Sequence, residues 1–275
     1  MASEFKNTTI LITGAASGLG RSLSLLFDAA GAHTIALDVD ETGLALLQKA
    51  SSSNLRTSPC DLTDTEQTEH VLKQLVEETG GIDILVNNAG VTSGKFLEEL
   101  TGADVDRTFR INSISHFQTV RILLPHMMKK QSGHIVTVAS AGGIVASPRM
   151  ADYAASKFAA VGFDEAMRVE FRHRNIPIHT TLVAPFFINT GMFKGVKTRF
   201  SWLLPIMDQE KVAHRIFHAI RRRKKRLIMP WFVYTAYPLR LLPLTLFDAV
   251  GSFFGISRTM DDYTGRTHSP DQTAD

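Results

Sequence analysis

Short runs rich in aliphatic and β-branched residues alternate with helix-length segments from one end of the chain to the other. No other feature limits the fold as much. The runs at Thr8–Thr13, His33–Leu37, Asn54–Thr57, Ile82–Asn87, His134–Ser140, Ile178–Ala184 and Arg226–Met229 have the length and composition of strands. Between them, Leu19–Ala30, Glu41–Lys49, Asp64–Thr79, Asp104–Lys130, Asp152–Arg174 and Asp208–Arg221 carry helical patterns. Strict alternation predicts βαβ crossovers, and therefore an α/β fold with a parallel sheet covered by helices on both faces. Ile82-Asp83-Ile84-Leu85-Val86 has the near-continuous apolar character of a strand buried on both sides. The 275 residues suit one doubly wound domain, with its core over 8–229, a lid excursion over 189–205 and an apolar C-terminal extension over 230–275.

Charge excludes some partners. Thirty Lys and Arg against 27 Asp and Glu leave +3, but six of the cations form the run Arg221–Arg226. The other 24 against 27 acids give −3, so no general nucleic-acid surface is expected. The basic run reads either as a solvated helix end that suits the dipole or, with the apolar stretch up to residue 256, as a peripheral contact with anionic lipid. The longest charge-free part of the extension, Leu227–Leu239, has 13 residues, short of the roughly 20 that cross a bilayer. The extension is then expected at a subunit interface or on a membrane surface. Cys60 has no internal partner, and Met1–Asn7 is polar rather than signal-like, which together suit a reducing, cytoplasmic setting.

The first strand runs into Thr13-Gly14-Ala15-Ala16-Ser17-Gly18-Leu19-Gly20. Glycines at 14, 18 and 20 allow a sharp turn, close approach to a pyrophosphate and tight packing of the next helix. The N-terminus of that helix offers free N–H groups to phosphate. A tight turn without ligand is the plainer reading, since the spacing is G-x-x-x-G-x-G rather than G-x-G-x-x-G. Asp38 follows Gly14 by 24 residues. A carboxylate there accepts hydrogen bonds from an adenosine ribose and repels a 2′-phosphate, while Ser17 and Val39 supply no cation, so NAD is favoured over NADP. Alternatively, Asp38 and Asp40 only cap a turn.

Tyr153 and Lys157 lie four residues apart in a helical segment and so share a face. A nearby ammonium and a cationic nicotinamide favour the phenolate, bringing a tyrosine down by about 1–3 from its ordinary value near 10. That suits proton exchange with an alcohol oxygen. Ser140, at the carboxyl end of a predicted strand, is placed to hydrogen-bond the same oxygen.

Jointly, Thr13-Gly14-x-x-x-Gly18-x-Gly20, Asn87-Asn88-Ala89-Gly90, Ser140 and Tyr153-x-x-x-Lys157 resemble the short-chain dehydrogenase/reductase family, over residues 8 to about 229. The resemblance implies a Rossmann-type, seven-stranded parallel sheet in the order 3-2-1-4-5-6-7, with the active site at the carboxyl ends of the strands. It implies that Asn112 completes a catalytic tetrad with Ser140, Tyr153 and Lys157 by holding a water that links Lys157 to solvent. It places Asp61 and Leu62 at the adenine, and Asn88, Ala89 and Gly90 along the adenosine ribose. Lys157 would bond the nicotinamide ribose, and Thr190 with the Ile188 backbone its carboxamide; Leu19, Ile111 and Pro185 belong to the same cleft. Phe186 stands where the family usually has glycine.

Asn189–Gly195, Leu203-Leu204-Pro205, Leu227–Trp231 and, more loosely, Leu241-Leu242-Pro243 resemble the retinol dehydrogenase and 17β-hydroxysteroid dehydrogenase branch. That implies a lipophilic alcohol or ketone as substrate. Phe186, Phe187, Met192 and Phe193, with Phe200 and Trp202, would line its cleft or simply pack the lid onto the sheet. The family likeness also implies a homodimer or homotetramer, paired through the two longest helices. Two rivals remain, an NADPH-dependent 3-oxoacyl or general carbonyl reductase and a non-enzymatic cofactor-binding protein of lipid surfaces or scaffolds. No metal site is expected, because the i, i+4 pair His214 and His218 lacks a third ligand at suitable spacing.

Overall fold

A computed structural model describes residues 4–51 and 54–265. Seven parallel strands, β1 (Thr9–Thr13), β2 (His33–Asp38), β3 (Leu55–Pro59), β4 (Ile84–Asn87), β5 (Gly133–Val138), β6 (Ile178–Pro185) and β7 (Arg226–Met229), form one sheet. Their order is β3-β2-β1-β4-β5-β6-β7, as the family resemblance implies.

Alternating side chains send successive residues of each strand to opposite faces. Ile10 and Ile12 of β1 enter one apolar cluster, with residues of α1 (Gly18–Ala29) and α2 (Glu41–Ala50). Leu11 enters the other, beneath α3 (Thr65–Thr79). Phe27 of α1 is fully buried, and its ring centre lies 5.1 Å from that of Phe5 and 5.0 Å from that of Phe217. The chain leaves β1 for β2 and β3, then returns to β4 on the other side. That reversal opens a crevice above β1 and β4.

Two expectations need correcting. The segment read as one helix over Asp104–Lys130 is α4 (Gly102–Phe109), a π turn (Arg110–Ile114) and α5 (Ser115–Lys130). Thr101 starts it two residues early, because its hydroxyl accepts the Asp104 N–H at 3.1 Å. The wide turn falls at Asn112, whose side-chain amide is held by the loop after β4 and by Ser156. Second, β5 ends at Val138, so Ser140 lies two residues past the strand and caps a short 3-10 turn over Ala141–Gly143. The excursion over 189–205 consists of turns, flanked by an isolated bridge between Ile188 and Met207.

After α6 (Ala151–His173), β6, α7 (Gln209–Arg221) and β7, the extension forms a 3-10 turn over Trp231–Thr235. The short α8 (Ala236–Leu239) and α9 (Leu244–Phe253) follow. Positions 266–275 of the expected domain and extension lie outside the described residues. Among the described residues no helix is long and apolar enough to cross a membrane.

Replacing Phe27 by Ala removes the ring shared by Phe5 and Phe217 and is expected to cost about 3–5 kcal/mol. Urea denaturation measures this, and a loss below about 1 kcal/mol would mean the site collapses without a cavity.

Candidate active site

The glycine turn is built for close backbone approach. Gly14 has φ +65° and Gly18 φ +53°. A Cβ on Gly14 would lie 2.7 Å from the Ala89 Cα, and one on Gly20 would strike the Gly14 carbonyl. Thr13 fixes the turn from below, where its hydroxyl accepts the N–H groups of Asn88 and Ala89, both at 3.0 Å. The Asn88 side chain donates back to the carbonyls of Thr13 and Gly14, at 2.8 and 3.1 Å.

Side-chain oxygens of Asp40, Asp64, Thr101 and Asp208 cap α2, α3, α4 and α7. At α1 the Ser17 side chain makes no such bond, and the first turn holds no acid. Its leading N–H groups and positive dipole end therefore suit an anion from the cavity. Asp38 is aimed by two backbone bonds, from Ala16 N at 2.9 Å and Asp40 N at 3.1 Å. The Asp40 side chain caps α2 instead, so the two acids divide the work that sequence reading left open. Asp61 also accepts from the backbone and hydroxyl of Thr63, at 2.8 and 2.9 Å. These features fit a nicotinamide dinucleotide. The turn and α1 could hold the phosphates, and Asp38 could hold a ribose.

Across the crevice, Lys157 on α6 donates to the Val138 carbonyl at 2.9 Å, and its Nζ lies 5.8 Å from the Tyr153 ring centre. The Ser140 hydroxyl accepts the Gly142 N–H at 3.0 Å and donates to the Pro185 carbonyl at 3.4 Å. Asn112 is fully buried behind this group. Its Oδ1 accepts from Val91 N at 2.8 Å, and its Nδ2 donates to Val91 O and Ser156 Oγ, both at 2.9 Å. The side chain is thus committed to holding the loop after β4.

The chain's own groups by themselves do not bring Tyr153 down. Burial pushes its phenol up to about 12, with the Ser140 hydroxyl pulling the other way. Burial also pushes Lys157 down to about 8. Desolvation is the largest effect on it, so the chain alone holds Tyr153 as a phenol. His116, fully buried one turn beyond Asn112, is driven to about 3 and stays neutral, chiefly through burial and then through Lys157. Cys60 is buried with its thiol pushed up by burial, which suits an inert packing role.

One cavity of about 1200 Å³ joins all this. Gly14, Ser17, Gly18, Leu19, Asp38, Val39, Asp61, Leu62, Asn88, Ala89, Gly90 and Ile111 line it, with Ser140, Tyr153, Lys157, Pro185, Ile188 and Thr190. Gly20 and Asn112 do not; one packs the turn and the other works from behind. Phe186, Phe187, Met192 and Phe193 also line the cavity, and Phe193 stands edge-on to Tyr153 at 5.6 Å. The expectation fails at Phe200, which packs on Phe253 and Phe254, and at Trp202, which is 80% exposed.

The larger omission is the extension. Phe232, Leu239, Phe247, Val250, Phe254 and Tyr263 wall the cavity, a role beyond the interface or membrane contact read from composition. The i, i+3, i+7 spacing of Phe247, Val250 and Phe254 marks that inner stripe. Thr92 and Ser93 line the cavity too, although no motif singled them out. Among the described residues, no group of three or more His, Cys, Asp and Glu is arranged to hold a metal.

Residues 8–199 match the family model described as short chain dehydrogenase. The chain belongs to the short-chain dehydrogenase family. Epidermal retinol dehydrogenase 2 of Mus musculus is 36% identical to it over 264 residues, which span 94% of this chain and 85% of the relative. Estradiol 17-beta-dehydrogenase 11 of Pongo abelii is 36% identical over 225 residues, spanning 80% and 74%. A short chain dehydrogenase/reductase from Burkholderia phymatum, solved in complex with NAD, matches with a TM-score of 0.77 at 27% identity, covering 86% of this chain and 94% of that one. This short-chain dehydrogenase is thus an oxidoreductase of the retinol and 17β-hydroxysteroid dehydrogenase branch.

If burial controls Tyr153, the absorbance difference between the parent protein and Tyr153→Phe shows no phenolate below about pH 11 without cofactor. A phenolate band titrating below about pH 10 would mean that the ammonium wins instead.

Proposed function

We propose that the protein transfers hydride between NAD(H) and a lipophilic primary or secondary alcohol or the corresponding carbonyl, of retinoid, steroid or aryl-alcohol type. The observation that carries this is the convergence of Ser140, Tyr153 and Lys157 with the glycine turn, Asp38 and an aromatic wall on one cavity. When bound, NAD supplies the hydride acceptor, or NADH the donor, and the oxidised ring brings positive charge that favours a phenolate.

In the reducing direction Tyr153 is already protonated and donates its proton to the carbonyl oxygen. In the oxidising direction its Oη takes the hydroxyl proton of the alcohol. Ser140 hydrogen-bonds and polarises the reacting oxygen in both directions. Lys157 holds the ribose and biases Tyr153, and Asn112 keeps the loop after β4 in place behind them.

The names of the relatives support a retinoid- or steroid-like substrate, and Phe186, Phe187, Met192 and Phe193 support it on chemical grounds. Asp38, with neither Ser17 nor Val39 cationic, supports NAD over NADP. Exposed Phe117 and Val169 on α5 and α6 support pairing of subunits through those helices. Trp231, 70% exposed soon after the basic run in sequence, and Leu241, 88% exposed, support a peripheral place at the cytoplasmic face of a membrane.

Tyr153→Phe is expected to lower turnover of a retinoid, steroid or aryl alcohol at least about 100-fold while NAD still quenches protein fluorescence. Retained turnover would remove Tyr153 from the chemistry. In steady-state comparison the parent favours NADH over NADPH, and Asp38→Ala narrows that preference about tenfold or more. An initial preference for NADPH would favour the general carbonyl reductase reading.

A further inference from the structure

Arg149, four residues before Tyr153, has φ +61°. A residue with a Cβ keeps that left-handed conformation only where its surroundings hold it. Here the guanidinium does the holding. Its Nε donates to the Gly94 carbonyl at 3.0 Å, and Nη1 donates to the carbonyls of Met260 at 3.1 Å and Asp261 at 3.4 Å. The same head lies 5.1 Å from the centre of the Phe96 ring and 5.8 Å from that of Tyr263. One side chain thus joins the loop after β4, the loop before α6 and the C-terminal segment 259–265.

That segment is stitched on its other side to the lid excursion. Lys197 N donates to Thr259 O at 3.2 Å, Thr264 N donates to Lys194 O at 2.9 Å, and Lys197 pairs with Asp262 at 2.7 Å. The surface ion pair is worth little alone, so the carbonyl bonds and the fork that makes them matter more. On its inner side the segment presents Thr259, Tyr263 and Thr264 to the cavity. Met260 and Tyr263 pack in the same apolar cluster as Met150, Tyr153 and Phe193. The clamp therefore ends on the wall beside the reacting tyrosine, although Arg149 itself is not part of the lining.

We propose that Arg149 is a positioning residue that sets the size selectivity of the alcohol or carbonyl site. It does so by fixing segment 259–265 as the wall on which the distal part of a bulky apolar substrate packs. The proposal rests on the oxidoreductase reading above. A short alcohol reacts at Ser140 and Tyr153 without reaching that wall, whereas a long one depends on it for binding. Loosening the wall removes ground-state contacts of the long substrate and leaves the reacting groups in place.

The test uses the full chain with NAD and two secondary alcohols, butan-2-ol and dodecan-2-ol. Arg149→Ala is expected to raise KM for dodecan-2-ol about tenfold, while its kcat and both constants for butan-2-ol stay within about twofold. Hydrogen–deuterium exchange should speed up over 259–265, with NAD protecting the glycine turn as in the parent. Arg149→Lys keeps the charge and loses the fork, and should act in the same direction. Gly94→Ala reaches the wall from the other side, since its Cβ would strike the Tyr263 ring, and should give the same substrate-dependent KM change. Equal changes for both alcohols, a fall in both kcat values, or unchanged exchange over 259–265 would overturn the proposal. If the parent turns over neither alcohol but does turn over a retinoid or steroid alcohol, the oxidoreductase reading stands and the size-selectivity proposal is overturned; unchanged exchange over 259–265 in Arg149→Ala overturns the clamp in either case.

Discussion

The hydroxyl of Thr13 holds the crevice together. It takes the N–H groups of Asn88 and Ala89 at the point where β1 and β4 end side by side, and Asn88 answers through the carbonyls of Thr13 and Gly14. This is where the strand order reverses, so the connections leave β1 and β4 in opposite directions and a gap opens between them. The knot keeps the gap in one shape. It lets Gly14 ride against Ala89 and leaves the first turn of α1 facing the cavity. Without that hydroxyl two inward N–H groups would lack partners, at about 1–3 kcal/mol each.

The dryness that shapes the reacting group also sets its protonation. Tyr153 and Lys157 are each pushed toward the neutral form by burial, to about 12 and about 8. In both groups the largest effect is the loss of water around the charged form. The protein by itself therefore stores a proton on the phenol, ready for a carbonyl oxygen. Use of the same side chain as a base depends on positive charge arriving with the cofactor. The π turn at Asn112 belongs to the same economy of buried polar groups, since a wider turn lets one amide hold both strands of contact, to Val91 and to Ser156.

The apolar half of the cavity is assembled from two distant parts of the chain. Phe186, Phe187 and Phe193 come from the end of β6 and the excursion, and stack edge to face beside Tyr153. The opposing wall is the C-terminal extension, where α9 turns Phe247 and Val250 inward and leaves Leu244 and Phe253 exposed. A helix apolar on two sides at a protein surface is serving two environments. Arg149, in the loop between Ser140 and Tyr153, ties the extension to the loop after β4.

Local pattern determined a great deal here. Alternating periodicity named all seven strands, and the glycine spacing located the turn, because both are dictated by backbone geometry over a few residues. The spacing of Tyr153 and Lys157 likewise needed only a helix. What local pattern could not carry was anything that depends on distant partners. The break at Asn112 comes from Val91 and Ser156, 21 and 44 residues away in sequence. The protonation of Tyr153 depends on how much protein closes over it, and the placement of the extension depends on Arg149 meeting Met260, 111 residues later. Composition showed that residues 230–256 were apolar, but apolar surface has no direction of its own. Only the folded chain decided that one side of it would face the reacting tyrosine.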